Sequence, residues 1–438
     1  MSSWRRGKSL NTRVASEGLV FHNGDMFRKT LALVLVSLYL SATSAMAQTD
    51  VIGLYLTWQR DPSTTMTVNW VSLYEGTPTN VWYRASGAEE WLLKTGTRHQ
   101  VKPSVLQVRR VELTGLKGDT SYEFYLGEKA PKDSKGVEKF RTMPAKLERP
   151  VRFVTGGDMM HSREFVDAMN RQAGKLDPDF ALLGGDLAYA NGVDATRWID
   201  WFQSWKQLVR GKGGRLIPMV VAIGNHEVKG GYNGKIPEEA PYFYGFFVPP
   251  QTHSYYALDF GKYLSFIVMD SGHTQPITGP QADWLGKTLA ARTEQQFIFP
   301  IYHYPAYGTA KATKGKLPSD SPRAVEIRTN WIPHFERYGV SAVFENDHHN
   351  YKRTYPLRQH KRDEENGIVY LGDGAWGVNT RTVPSKEEGW YLAHAEPRRH
   401  LHHITLHPSG QIKAEAVDAE GKVFDQTTLE RARTKPMP

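Results

Sequence analysis

The chain contains no cysteine in 438 residues. Disulfide staples are therefore excluded, and so are thiolates as nucleophiles or metal ligands. Any metal must be held by oxygen and nitrogen donors. Long apolar runs are also scarce. Leu31 to Leu40 is the main one, well short of the roughly 20 residues that a membrane-spanning helix needs. There is no low-complexity tract and no internal repeat. No helix-like stretch is rich in Arg and Lys, and basic and aromatic residues do not interleave, so no nucleic-acid partner is inferred. Charged residues make up 23% and apolar residues 40% of the chain, which excludes a disordered polymer and fits a folded protein.

What is present begins with an address. Arg28 and Lys29 precede the apolar run, and small residues then lead to Ala45-Met46-Ala47. This is the order of a secretory signal. Residues 1–47 are read as a signal or targeting segment cleaved after Ala47; an N-terminal membrane anchor is the alternative. Met1 to Asp25 is polar and long for the start of such a signal, so Met26 is an alternative first residue. A periplasmic or extracellular location is expected, with no stable membrane span after cleavage. The formal net charge of +9 reads first as a solvated basic surface, and it would also draw an anionic substrate. Nothing in the sequence sets an oligomeric state.

The length suits two domains. Residues 48–144 read as all-β. Gly53 to Trp58, Met66 to Val71, Asn80 to Arg84 and Val105 to Val111 are strand-like and separated by turn residues, which predicts a β-sandwich of immunoglobulin-like class. The stretch from Leu113 through Gly115-Leu116-Lys117 to Tyr122 has a Leu, a turn and a Tyr opening the next strand. It resembles the corner of fibronectin type III-like modules, and no chemistry is assigned to this part.

Residues 145–438 change pattern. After a connector from Met143 to Pro150, strands (Val151 to Val154, Phe180 to Leu183, Met219 to Ile223, Tyr263 to Met269, Phe297 to Ile301, Val340 to Phe344) alternate with helical stretches at Arg163 to Gly174, Ala195 to Val209 and Gln281 to Ala291. The class is α/β, or α+β for the chain as a whole. The expected architecture is four layers, α/β/β/α, with two sheets face to face and helices outside. The tail from His402 to Phe424 reads as strand, turn and strand, returning to a sheet edge.

Six segments in this second part end an apolar run with potential metal ligands: Gly156-Gly157-Asp158, Gly184-Gly185-Asp186-Leu187-Ala188-Tyr189, Gly224-Asn225-His226-Glu227, Ile301-Tyr302-His303, Asn346-Asp347-His348-His349 and Gly372-Asp373-Gly374. In an α/β sheet, ligands gather beyond the carboxyl ends of the strands. Asp158 and Asp186 are hard anionic donors, and a carboxylate can bridge two cations about 3.5–4 Å apart. Asn225 offers a carbonyl oxygen, and His303 and His349 offer imidazole nitrogens. Tyr189 offers a phenolate, which only a strongly acidic ion such as Fe(III) keeps ionised near neutral pH.

The ordered set Asp158, Gly185-Asp186-Leu187-Ala188-Tyr189, Gly224-Asn225-His226-Glu227, His303 and Asp347-His348-His349-Asn350-Tyr351-Lys352-Arg353 resembles the metallophosphoesterases. More narrowly it is similar to purple acid phosphatases, and the fibronectin-like part in front agrees. The resemblance implies two metal ions. Asp158, Asp186, Tyr189 and His349 would hold Fe(III), and Asp186 would bridge. Asn225, His303 and Asp347 would complete a site for a second, divalent ion: iron, zinc or manganese. His226 would stay off the metals and act on the substrate. The implied activity is hydrolysis of a phosphorylated small molecule, a monoester, by metal-hydroxide attack. Three departures stand out. Asp347 lies where the family usually has His, Met160 where it tends to have Gly, and the segment after His303 lacks the His pair of plant-type members.

Each block also has a plainer reading. Asp186 and Tyr189 alone could be a loop cap and a core tyrosine, Asn225 a helix cap, and His303 a satisfied strand-end histidine; the coincidence of all five blocks favours the site. His348 is expected to point away from its neighbours, His161 to lie at the surface or behind the ligands, Asp270 to cap a turn, and Asp373 to be structural. The histidines at 394, 400, 402, 403 and 407 are read mostly as surface residues. Trp198, Trp201 and Trp205 are read as a core stripe. Two other functions stay open: a phosphodiesterase acting on nucleotides or lipid headgroups, and a catalytically weak cell-surface binding protein.

Overall fold

The computed structural model describes residues 51–76, 78–231, 234–250, 253–310 and 317–431. The expected signal segment and the alternative start at Met26 lie outside them. The described residues fall within one compact unit, Ala47–Pro438, and none of their helices is long and apolar enough to cross a membrane.

Eight strands come first: β1 (Gly53–Thr57), β2 (Thr65–Ser72), β3 (Asn80–Ala85), β4 (Leu92–Thr95), β5 (Thr97–Gln100), β6 (Gln107–Thr114), β7 (Ser121–Leu126) and β8 (Glu138–Arg141). They pair as two sheets, β1-β2-β6-β5 and β4-β3-β7-β8. Val68, Trp70, Val111, Leu113, Phe124 and Phe140 fill the space between them. The phenol oxygen of Tyr122 accepts the Lys117 N–H at 2.9 Å, pinning the turn that the Leu-turn-Tyr spacing marks. The sandwich shares its packing with the rest of the chain. Tyr55 stacks on Phe202 with centroids 4.9 Å apart, and Trp58 meets Phe180 and Phe260 edge-on.

The following elements are β9 (Val151–Gly156), α1 (Arg163–Lys175), β10 (Phe180–Leu183), α2 (Ala195–Leu208), β11 (Met219–Val221), α3 (Pro241–Phe246), β12 (Tyr256–Phe260), β13 (Leu264–Val268), α4 (Pro280–Ala290), β14 (Phe297–Ile301), α5 (Pro322–Asn330), α6 (Ile332–Tyr338) and β15 (Val343–Glu345). After them come β16 (Tyr351–Thr354), β17 (Leu357–Arg358), β18 (Lys361–Arg362), β19 (Tyr370–Gly372), β20 (Leu392–Glu396), β21 (His400–Leu406), β22 (Ile412–Asp418) and β23 (Val423–Leu429). One sheet runs β11-β10-β9-β21-β22-β23 and the other β12-β13-β14-β15-β19-β16-β20.

Side chains alternate across each sheet with a period of two. Phe153, Phe180, Leu182, Phe266, Phe299 and Phe344 face the opposite sheet in one aromatic cluster. Their neighbours Val154, Ala181 and Leu183 face α1 and α2 instead, and Ile267, Ile298 and Val343 face α4 to α6. Each buried large side chain contributes about 2 kcal/mol. The result is the four-layer α/β/β/α arrangement. Ser162 caps α1 by accepting the Phe165 N–H, and Asp194 caps α2 from Thr196. Trp198, Trp201 and Trp205 lie buried along α2, as a core stripe requires.

Two expectations fail at the tail. It does not merely return to a sheet edge: β21 pairs with β9 in the interior, and β21 to β23 form half of that sheet. Because β21 is covered on both faces, His400 and His402 are buried rather than at the surface. Both pack on Tyr351, and burial pushes the His400 imidazole down to about 4. His394, His403 and His407 remain partly exposed.

Candidate metal centre

Strands β9, β10 and β11 are parallel to one another, and so are β13, β14, β15 and β19. Their carboxyl ends therefore open on one edge of the two-sheet stack. Asp158 follows β9, Asp186 follows β10, Asn225 follows β11, His303 follows β14 and Asp347 follows β15. Close approach of the two sheets explains one of the glycines. A Cβ on Gly184 would stand 2.0 Å from Nδ2 of Asn346, the residue that ties the loop after β15 to the Tyr302 carbonyl.

The loops turn by unusual means. Asp158, Asp186, Tyr189, Asp347 and His349 all have positive φ, between 54° and 76°. That region is uncommon outside glycine and costs of order 1–3 kcal/mol per residue, most plainly for a tyrosine. Five such residues converging on one spot mark a place where side-chain direction is fixed at the expense of backbone comfort.

Two groups of donor atoms result. In the first, the Tyr189 phenol donates to Asp158 Oδ1 at 2.9 Å and lies 3.0 Å from His349 Nε2, which is itself 3.0 Å from the same carboxylate oxygen. In the second, His303 Nε2 lies 3.2 Å from Asp186 Oδ2, 3.1 Å from Asn225 Oδ1 and 3.8 Å from Asp347 Oδ1. Asp158, Asp186 and His303 can present ligand atoms within 4.8 Å of one another, which joins the two groups. Each histidine is oriented from behind. His303 Nδ1 faces the Gly184 carbonyl at 2.9 Å and His349 Nδ1 the Asn379 carbonyl at 3.2 Å. Since a carbonyl only accepts, both Nδ1 atoms carry hydrogen and both Nε2 atoms are turned to the centre.

His226 stands at the rim. Its ring stacks on Tyr189 at 4.2 Å, its Nδ1 bonds Asn191, and its N–H is held by Asp186 Oδ1 at 2.7 Å. Its Nε2 is 3.8 Å from Asp186 Oδ2. His348 does not point away from its neighbours as strand alternation suggests: it is buried, between two residues of left-handed backbone. Its Nδ1 accepts the Ala310 N–H at 3.0 Å, which leaves Nε2 facing Asp347 Oδ2 at 3.5 Å. His161 packs edge-on against Tyr189 and His349, at 4.8 and 5.2 Å. Asp270 accepts the N–H groups of His273, Thr274 and Gln275, as a turn cap does.

Several contributors were given no role by the sequence reading. Glu227 accepts the N–H groups of Asp186, Leu187 and Gly224 at 2.7, 2.9 and 2.7 Å, locking the loop that carries Asp186; burial and then the Asp186 charge push it up to about 7. Its position beside His226 was the only available signal. Asn379 and Arg381 lie further along the loop that Gly372-Asp373-Gly374 opens, where no motif continues. Gly374 (φ 70°) is a further one: a Cβ there would stand 1.9 Å from Asp158 Oδ2. Gly374→Ala is expected to destabilise the protein by more than about 1 kcal/mol and to lower metal uptake at the Asp158 group. Elemental analysis checks this, and full metal content in the variant would contradict it.

The electrostatics call for cations. Asp158, Asp186, Asp347 and Glu227 are all buried here. Burial would depress the His303 imidazole, but Asp186 and then Asp158 raise it to about 10. Asp186 is held below the ordinary carboxylate range although burial opposes this, because His303 and His226 stand against it. Burial, then Asp158 and Asp186, push the Tyr189 phenol well up, so ionising it requires a strongly acidic ion beside it. The donors are carboxylate, phenol, amide and imidazole only, and they fit hard or borderline metal ions.

Fold and centre together define a metallophosphoesterase, and comparison with known proteins agrees. The family described as Calcineurin-like phosphoesterase matches residues 152–351, and that described as Purple acid Phosphatase, N-terminal domain, matches residues 52–142. The chain belongs to this family, on its purple acid phosphatase-like side. It is 27% identical over 378 residues to an uncharacterized protein of Mycobacterium tuberculosis, covering 75% of this chain and 64% of that one. Purple acid phosphatase 15 of Arabidopsis thaliana is 23% identical over 297 residues, covering 61% of this chain and 53% of that one. The chain thus spans less than two thirds of the length of either relative. Among solved structures, the purple acid phosphatase PPD1 from yellow lupin seeds has a TM-score of 0.72 at 18% identity, covering 86% of this chain and 74% of that one. That likeness concerns the fold.

Proposed function

We propose that the protein is a secreted, metal-dependent phosphoric ester hydrolase acting on phosphate monoesters of small molecules. The observation that carries this reading is the meeting of two donor groups, Asp158–Tyr189–His349 and Asp186–Asn225–His303–Asp347, at one edge of the sheets. The relatives named as purple acid phosphatases support it. Residues 48–144 would be the sandwich and 145–438 the hydrolytic domain.

In this reading Asp158, Asp186, Tyr189 and His349 would hold Fe(III), with Asp186 shared between the sites, and Asn225, His303 and Asp347 would complete a divalent site of iron, zinc or manganese. Such a pair, when bound, supplies a water acidic enough to attack phosphorus and charge to neutralise phosphoryl oxygens. The protein's own residues do the rest. Asn379 and Gly184 fix the two imidazoles, Glu227 fixes the Asp186 loop, and His226 holds the leaving oxygen by a charged hydrogen bond. Tyr189 supports the His226 ring face to face.

Asp347 favours a second reading. A carboxylate in place of an imidazole adds negative charge, which disfavours a doubly charged monoester relative to a singly charged diester. A phosphodiesterase on nucleotides or lipid headgroups follows from it, and at the extreme a catalytically weak cell-surface binding protein. Paired assays with p-nitrophenyl and bis-p-nitrophenyl phosphate separate the first two, and metal analysis separates the third.

The decisive measurement is the visible spectrum of the metal-analysed protein. Two metals per chain and a phenolate–Fe(III) band are expected, with the band lost in Tyr189→Phe. A chain that binds no metal would sink the proposal.

A further inference from the structure

The loop after β19 closes the centre, and beyond its start at Asp373-Gly374 no sequence motif marks it. It is laced to the loop after β9. Trp376 and Gly377 donate their N–H groups to the Gly157 and Asp158 carbonyls at 3.1 and 2.9 Å, and Asn379 donates to His161 Nδ1 at 3.1 Å. The Arg381 N–H then bonds Asn350 Oδ1 at 3.1 Å. The point where the Arg381 side chain leaves the backbone is thereby fixed.

Its guanidinium is half-buried at the mouth. One nitrogen lies 3.4 Å from His349 Nε2 and another donates to the Asp347 carbonyl at 3.3 Å. Among the described residues no carboxylate is within ion-pairing distance of it, whereas Arg149, Arg210, Arg292 and Arg353 are all so paired. A guanidinium held without a carboxylate beside a hydrolytic centre is short of an anion. It stands on the His349 side of Tyr189, and His226 stacks on that ring. It also returns the positive charge that Asp347 removes, and the segment after His303, Tyr304-Pro305-Ala306-Tyr307, supplies no imidazole of its own.

We propose that Arg381 is a substrate-binding residue that clamps terminal phosphoryl oxygens through paired N–H···O bonds. This rests on the hydrolase reading above and narrows it to monoesters. A monoester presents three terminal oxygens and a diester two, so a fork working alongside a metal pair has an oxygen to hold chiefly in the monoester. The planar fork suits this task, and an ammonium would not reproduce it.

The test uses the full metal-loaded chain, its Arg381→Ala and Arg381→Lys variants, and inorganic phosphate as probe in titration calorimetry, with elemental analysis alongside. Arg381→Ala should weaken phosphate binding about 10- to 100-fold at unchanged metal content, and Arg381→Lys should recover only part. KM for p-nitrophenyl phosphate should rise far more than KM for the bis-ester. Unchanged phosphate affinity in a metal-replete Arg381→Ala variant would overturn the clamp while leaving the hydrolase reading intact. Tighter metal binding in that variant without loss of phosphate affinity would also overturn it, since the guanidinium would then only neutralise the acidic cluster. A wild-type chain that takes up no metal and binds no phosphate would overturn both readings.

Discussion

Asp186→Asn should lower kcat/KM by about three orders of magnitude or more and remove at least one metal ion per chain. The size follows from its position: Asp186 Oδ2 is the carboxylate atom nearest His303, and Asp186 joins the two donor groups. Removing even an outer support of a metal ligand costs about 10- to 100-fold, and a bridging charge should cost more. The fold should survive, because an asparagine oxygen can still accept the His226 N–H that Asp186 Oδ1 takes at 2.7 Å. Without metal the variant should be somewhat less stable than the wild type near neutral pH, because it loses the pairing of Asp186 with His303 and His226, and relief of the buried Glu227 offsets only part of that. The check is therefore threefold: turnover, metal content, and the rise in melting temperature on adding metal, which should shrink in the variant. Full activity at full metal content would refute Asp186 as a ligand.

Lys352→Met is expected to be the most damaging change away from the ligands. Lys352 is fully buried beneath the loops that carry Asp347 and Asp373. Its ammonium donates to Glu345, to the Tyr307 carbonyl at 2.7 Å and to Asp373 Oδ1 at 3.4 Å. Glu345 also accepts the Tyr302 hydroxyl at 2.6 Å and the Ala306 N–H at 2.7 Å, so it cannot leave for solvent. Breaking a buried ion pair from one side costs about 3–5 kcal/mol. The loss should depend on pH. Burial raises the Asp373 carboxyl to about 6 even though Lys352 lowers it. A carboxyl raised on folding contributes stability below its unfolded pKa and loses it as pH rises through the folded one. Without the lysine the Asp373 carboxyl should rise further and take up a proton, so the penalty should be larger at pH 8 than at pH 5. Denaturant unfolding at both values checks this, and a variant as stable as the wild type at pH 8 would show that the network is not needed.

Much of the layout could be read from local pattern. The strand Phe297–Ile301 falls where apolar continuity puts it, and α1 and α2 end within a residue of their expected limits, because caps such as Ser162 and Asp194 act over two or three residues. The tail misled for a related reason. Alternation in His400–Leu406 announces a strand but not its neighbours, and only its pairing with β9 makes His400 and His402 interior residues. His348 is expected to point away from Asp347, but positive φ at Asp347 and His349, which no periodicity encodes, leaves it buried with Nε2 3.5 Å from Asp347 Oδ2. Glu227 and Gly374 were given no role, and Asn379 and Arg381 went unseen, because their work is done largely on partners far away in the chain.

The sequence by itself determined the donor chemistry. With no cysteine and with aspartate, asparagine, histidine and tyrosine at strand ends, any metal here is held by oxygen and nitrogen. It also determined the order of elements, since periodicity and caps are local properties. Only the tertiary structure decided which atoms share a point, which ring nitrogen faces inward, and which cation stands at the mouth. Those outcomes depend on how two sheets pack and how left-handed loops aim side chains, and both are set by contacts across more than a hundred residues, such as His303 Nδ1 on the Gly184 carbonyl.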